Sequence, residues 1–444
     1  MNKGISSEDL DKFEKSFDSS QSAQVAMNAA VNNGILDSCV DAAEVRRMQH
    51  SFSIQIEAGD ICNQKQSGRC WMFAALNVMR LQIMKKLNLK TFELSQSYPL
   101  FWDKLEKSNW FLENILKTLD ESTDSRTIAF LLSNPIGDGG QWDMFCSLVE
   151  KYGVVPKSAM PESKASSATR ELDKFITLKL REFACTLRQA HDDGKSISAL
   201  MEMKDGMMST IYRMLCISLG KPPRVFDFAA RSKDDKFTGD RGITPQQFYK
   251  KYVGMPLSDY VSIINATTAD KPFGKTFTVK YLGNVEGGRQ VKYLNLPAAV
   301  LKALAIAQLK DGEAVWFGSD VGQFSRRQEG IMSVPVVAAD KLFGTDFPMT
   351  KAQRLDYGES LMTHAMVLTG VNLDDSETPD RWRVENSWGE DVGEKGFFVM
   401  SDDWFTEYTY QVVINKKYLS KEQLAMFAQD PIELAPWDPM GSLA

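Results

Sequence analysis

Gln64-Lys65-Gln66-Ser67-Gly68-Arg69-Cys70-Trp71-Met72-Phe73-Ala74 is a polar, glycine-containing turn that runs directly into an apolar helix, with a cysteine at the join. The continuation Ala75-Leu76-Asn77-Val78-Met79-Arg80-Leu81-Gln82-Ile83-Met84 is rich in good helix formers and has neither Pro nor Gly. Apolar residues fall on nearly every side, which predicts a helix buried within a domain rather than one lying on its surface. A cysteine in the first turn of such a helix feels the positive end of the macrodipole. Its thiolate is expected to be stabilised there and its pKa lowered. A nucleophile made in this way needs a base, which the rest of the chain must supply.

At 444 residues the chain exceeds one ordinary core, so two or three subdomains are expected. Its 43% hydrophobic and 25% charged residues are those of a soluble globular protein. A net charge of −6 gives no support to a nucleic-acid or anionic-membrane partner, which would call for a basic surface. No segment approaches the length of a transmembrane helix, so no membrane partner is expected. The start, Met1 to Asp9, lacks the apolar core of a signal peptide. The six cysteines (39, 62, 70, 146, 185 and 216) form no CxxC pair, so neither a metal nor another cofactor is expected. Reduced thiols in a cytoplasmic protein are the expectation instead.

Residues 5 to 50 read as helices, with Ser7-Glu8-Asp9 as a cap and Leu10, Phe13 and Phe17 at helical spacing. Phe52 to Ile56 alternates like a short strand, and His50 before it has no evident catalytic partner. After the Cys70 helix comes an aromatic-rich helical region ending near Leu119. Gly137-Asp138-Gly139-Gly140-Gln141-Trp142 then punctuates the chain before a helix from Met144 to Tyr152. Adjacent glycines let another backbone approach closely, which suits either a plain turn or a peptide-binding rim. Residues 157 to 220 are charged and helical, with Met201, Met203, Met207 and Met208 reading as core fillers and His191 as loop surface. The last third reads as antiparallel strands: Thr363 to Val371, Arg381 to Asn386, Gly396 to Met400 and Tyr410 to Ile414.

A cysteine nucleophile needs an imidazole to exchange its proton, a group to orient that imidazole, and donors aimed at the developing oxyanion. Of three histidines, only His364 remains, on an apolar strand where a core histidine would also fit. Asn386 ends the neighbouring strand. Its side-chain oxygen can accept from one ring N–H and leave the other nitrogen to face sulfur. Trp388 could shield that bond from water.

These segments resemble the papain-like cysteine peptidases. Gln64 to Trp71 matches the family's Gln-x-x-x-x-x-Cys-Trp block, His364-Ala365 its His-Ala block, and Asn386-Ser387-Trp388-Gly389 its Asn-Ser-Trp-Gly block, in the family's order. The resemblance implies that Cys70 is the nucleophile, His364 the general base and then acid, and Asn386 its orienter. It also implies that the Gln64 side-chain amide and the Cys70 backbone N–H form the oxyanion hole. Gly139 and Gly140 match the double glycine on which the family lays substrate backbone. Cys70 and His364 lie about twice as far apart as the usual papain spacing, and Arg69 stands where secreted members carry Ser or Ala. These departures, with Leu94 to Tyr98, Asp138 to Met144 and Arg383 to Asp391, resemble the bleomycin hydrolase and bacterial aminopeptidase C branch.

The resemblance implies an α+β, papain-like fold: a helical lobe, an antiparallel β-barrel-like lobe, and a large mixed α/β insertion. The expected division is 1–156 for the N-terminal extension and helical lobe, 157–295 for the inserted helical and strand subdomain, 296–435 for the β lobe, and 436–444 for a tail. It also implies a homohexamer with active sites facing an internal channel. A bare chain end is most often frayed. In this branch the matching tail lies in the cleft, which would set the Ala444 carboxylate against a substrate's N-terminal ammonium. The expected function is a cysteine aminopeptidase of broad specificity acting on short peptides. An endopeptidase on the same scaffold and an inert peptide-binding protein are the other readings.

Overall fold

The apolar stretch after Gly68 forms one helix, Cys70–Leu87, whose first eleven residues are all buried. Lys85 and Lys86 in the last turn favour its negative end, and Asn88 closes it in the left-handed conformation with its N–H on the Met84 carbonyl. The computed structural model describes residues 4–442. Around this helix pack Ser97–Lys117 and Trp142–Tyr152, and beyond them the long pair Arg170–Asp192 and Ile197–Leu219. One apolar core runs through all of them, from Cys70 and Trp71 to Leu215.

The strands of the second half join a twelve-stranded, mostly antiparallel sheet. At its centre His364–Leu373 lies between Val315–Ser319 and Pro379–Glu385. Its N-terminal end, where His364 pairs with Ser319, meets the start of the Cys70 helix. A second core fills the far side of the sheet, around Trp382, Phe398 and Trp404. This is the expected α+β architecture of a helical lobe against a β lobe.

Two expectations change. Tyr260–Ile264, Thr276–Val279 and Tyr293–Asn295 pair into the same sheet as the His364 strand, so the division expected at 295/296 cuts through paired backbone. The helical part of the insertion shares the core of the Cys70 helix, and its strand part joins the sheet. At the N-terminus, Ser6 rather than Ser7 caps Ser7–Asp18, through a reciprocal pair of hydrogen bonds with Asp9.

Candidate active site

Cys70 is the first residue of its helix, where backbone N–H groups have no intrahelical acceptor. The turn before it is held from several sides. Arg69 is fully buried, with both terminal nitrogens on Glu162 at 3.1 and 2.9 Å and its Nε on the Ser67 hydroxyl. The Gly68 N–H donates to an Asp138 carboxylate oxygen at 2.7 Å. The Trp71 indole donates to the Asp138 carbonyl at 2.7 Å, and its own carbonyl accepts from the Trp316 indole.

The backbone N–H groups of Ala365 and Trp71 are directed at the Cys70 thiol, which places the residue after His364 against the sulfur. The expectation of a lowered thiol pKa is corrected here. Burial pushes the thiol up from 9.0 to about 11. That is about 3 kcal/mol against the thiolate, whereas a helix terminus offers about 0.3–1 kcal/mol in its favour. Burial wins.

His364 opens its strand, 4% exposed, and its Nε2 lies 2.9 Å from the Asn386 Oδ1. The same oxygen accepts the Ser387 N–H at 2.8 Å, which fixes the amide with its oxygen toward the ring. Nε2 therefore carries the proton in the neutral ring, and Nδ1 is the acceptor. Trp388 lies over the imidazole, with ring centroids 4.9 Å apart, and the Arg327 guanidinium lies 4.5 Å from the centre of that indole. Burial lowers the His364 pKa to about 4, against the opposing pull of Asn386. Neither charge is stable here alone. A proton passing from thiol to imidazole creates both together, and each then offsets the burial cost of the other.

Gln64 is 7% exposed. Its Oε1 accepts from the Ser387 hydroxyl and its Nε2 donates to the Ser67 carbonyl, both at 2.6 Å. An amide nitrogen carries two N–H groups, so one remains beyond this bond. Ser387 thereby joins Gln64 to Asn386, its hydroxyl on one amide oxygen and its N–H on the other.

Gly139 and Gly140 border the Cys70 turn. A Cβ on Gly140 would come within 2.6 Å of the Trp71 ring, so this glycine permits a close approach. The Gly137 and Gly139 carbonyls accept from the buried Lys107 ammonium at 2.9 and 2.6 Å. The chain end comes to the same place. The Lys271 ammonium, 4% exposed, pairs with Asp438 at 2.8 Å, and Arg126 stacks on Trp437 at 3.6 Å. The Ser442 carbonyl accepts from Gln141, and its hydroxyl donates to the carbonyl of Met362, two residues before His364. Ala444 lies outside the described residues.

His50 and His191 stay apart from this constellation, near Glu394 and Asp192 respectively. Sequence reasoning missed the buried polar frame. Arg80, on the Cys70 helix, meets Glu385 at 2.7 Å, both below 2% side-chain exposure or at it. That pair ties the helix to the residue before Asn386, and a lone charge left there would cost about 3–5 kcal/mol. The signal was present, since an arginine within a largely apolar, buried helix needs a partner.

The His364 shift makes a stability prediction. The ordinary imidazole value of 6.5 applies in the unfolded chain and about 4 in the folded one. As pH falls from 6.5 toward 4, the unfolded state takes up a proton that the folded state refuses, so stability falls. The full contribution is present above 6.5 and amounts to about 3 kcal/mol. Urea unfolding at pH 7.5 and pH 4.5 is expected to show a smaller acid loss for His364→Gln than for the parent. Equal acid losses would contradict the burial of a neutral His364.

Comparison with known proteins gives a consistent result. The model of the Peptidase C1-like family matches residues 4–441. An Aminopeptidase C from Streptococcus thermophilus is 54% identical, covering 94% of each chain. An Aminopeptidase C from Listeria innocua is 50% identical over the whole of both. A Bleomycin hydrolase from Mus musculus is 44% identical, covering 100% of this chain and 99% of that one. A crystal structure of PepW from Lactobacillus rhamnosis HN001 superimposes with a TM-score of 0.98 at 55% identity, each chain fully covered.

Proposed function

The chain belongs to the Peptidase C1-like family, and from that premise we propose that it is a cysteine aminopeptidase releasing N-terminal residues from short peptides. The observation that carries the chemistry is the His364–Asn386 bond at 2.9 Å, set on the strand whose Ala365 N–H faces the Cys70 thiol. Cys70 attacks the scissile carbonyl while its proton passes to Nδ1 of His364. The tetrahedral oxygen is received by the Cys70 N–H and the second N–H of Gln64. His364 returns the proton to the leaving amine as the acyl–sulfur bond is kept. It then takes a proton from the water that attacks the acyl group and returns it to the Cys70 sulfur as the acyl–sulfur bond breaks and the N-terminal residue leaves. Asn386 holds the ring in the tautomer this sequence requires, and Gly139 and Gly140 receive the substrate backbone.

The exopeptidase reading draws support from relatives named Aminopeptidase C and from the anchored segment 436–442. The Ala444 carboxylate would pair with the substrate ammonium and close the cleft to longer chains. Fluorogenic aminoacyl amides with a free amine are expected to be cleaved, and their N-blocked counterparts to resist. Faster cleavage of the blocked set would select the endopeptidase reading instead.

A homohexamer in the cytoplasm is the further part of this reading. Helices Ser7–Asp18 and Gln21–Asn33 bury none of their residues, and Leu10, Phe13, Val25 and Val31 stand exposed. Burial against further copies of the chain would remove that apolar surface from water. All six cysteines are free thiols, which suits a reducing compartment. No helix among the described residues is long and apolar enough to cross a membrane.

A further inference from the structure

We propose that Asp138 is a positioning residue for peptide hydrolysis, joining the turn that presents Cys70 to the loop that carries Gly139 and Gly140. These two parts lie some seventy residues apart in sequence, yet must keep a fixed spacing. The turn supplies the oxyanion donor and the loop receives the substrate backbone. The role rests on reading Cys70 as the nucleophile.

Asp138 reaches both through separate atoms. One carboxylate oxygen accepts the Gly68 N–H at 2.7 Å and the Thr169 hydroxyl at 2.5 Å. Its other oxygen pairs with the Lys104 ammonium at 2.7 Å, and its carbonyl accepts the Trp71 indole at 2.7 Å. Gly68 is close enough that a Cβ there would lie 2.8 Å from the Asp138 Cβ. Lys104 is fully buried and also donates to the Ile136 carbonyl, at the start of the same loop. Four segments thus meet on one carboxylate: the Cys70 turn, the glycine loop, Lys104 on helix Ser97–Lys117, and Thr169 at the head of helix Arg170–Asp192.

The charges are distributed to keep Asp138 ionised. Lys104 stands between Asp138 and Asp173, 2.7 and 2.5 Å away. Lys104, Thr169 and the Gly68 N–H together hold the Asp138 carboxyl well below the usual range despite its burial. Burial outweighs the pull of Lys104 at Asp173, and with the neighbouring Asp138 charge raises that carboxyl to about 7. A carboxylate that accepts two donors and a cation is firmly placed. Asp138 does not touch the reacting atoms; it acts through Gly68 and Trp71.

The test is Asp138→Asn in the full chain. Asparagine keeps the size and one acceptor for Gly68. Thr169 shares that acceptor, so the amide nitrogen turns its donor hydrogens toward the Lys104 ammonium, which cannot accept them. A displaced donor costs rate out of proportion to the shift. The expected result is a fall in kcat of about 10- to 100-fold on free-amine aminoacyl amides, with KM changed by less than about threefold.

Alkylation by iodoacetamide, read by mass on the Cys70 peptide, uses neither the oxyanion donors nor the glycine rim. It is expected to hold or rise at a given pH, because the Asp138 charge opposes the thiolate. Thr169→Val keeps that charge, removes one donor, and is expected to lower kcat by about threefold to tenfold. A kcat for Asp138→Asn within twofold of the parent would overturn the role. So would a joint fall of kcat and alkylation, which marks general loss of the site. If Asp138→Asn does not fold, an unchanged kcat in Thr169→Val decides against it. Hydrolysis surviving complete alkylation of Cys70 in the parent would instead remove the nucleophile reading beneath it.

Discussion

Replacing Cys70 with alanine is expected to lower kcat on free-amine aminoacyl amides by about 10⁴- to 10⁶-fold. The substitution removes one buried sulfur at a helix start and leaves the helix, Gln64 and His364 in place. Thermal unfolding should therefore move by only a few degrees. What disappears is the covalent route. His364 would have only water to activate, without an acyl–sulfur intermediate to divide the barrier into two lower ones. Residual rate would come from the oxyanion donors and from binding. Activity within tenfold of the parent would sink the assignment.

Removing residues 439–444 is expected to abolish the preference for a free amine. The tail is built to stay in one place: Met440 is buried, Tyr293 donates to its carbonyl, Gln141 and Met362 hold Ser442, and Lys271 holds Asp438 just before the cut. A tail serving only packing would need none of its polar atoms turned toward the His364 strand. A hydrogen bond between charged groups contributes about 1.5–3 kcal/mol. The ratio of free to blocked rates is thus expected to fall by about 10- to 150-fold, with blocked and longer peptides gaining. Truncated protein that still rejects blocked peptides would show that Ala444 does not set the exopeptidase limit.

Much of the site was legible because its chemistry is carried by short blocks. Cys70 starts a helix, His364 opens a strand, and Asn386 directly follows the next strand, one residue beyond where its pattern ends it. Less legible was what holds these blocks together. Arg80 with Glu385, Arg69 with Glu162 and Lys104 with Asp138 join residues about 305, 93 and 34 positions apart. Each is an ordinary charged residue in its own segment, and only burial turns it into a frame. The strand pairing across the expected seam at 295/296 was not legible for a similar reason. Strand periodicity shows that Tyr260–Ile264 is a strand but not which edge it will pair with, and it pairs beside Thr409–Asn415.

The amino-acid order by itself determined the helix that presents Cys70 and the alternation that makes the β lobe, since propensity, capping and periodicity act over a few residues. That Cys70, His364 and Asn386 belong together was what the family resemblance implied. Tertiary structure decided their electrostatics and their spacing. A cysteine at a helix N-terminus reads as an activated thiolate from local dipoles alone. Enclosed by the sheet, the same thiol is pushed up and the imidazole down, because removing water costs a lone charge more than a helix end returns.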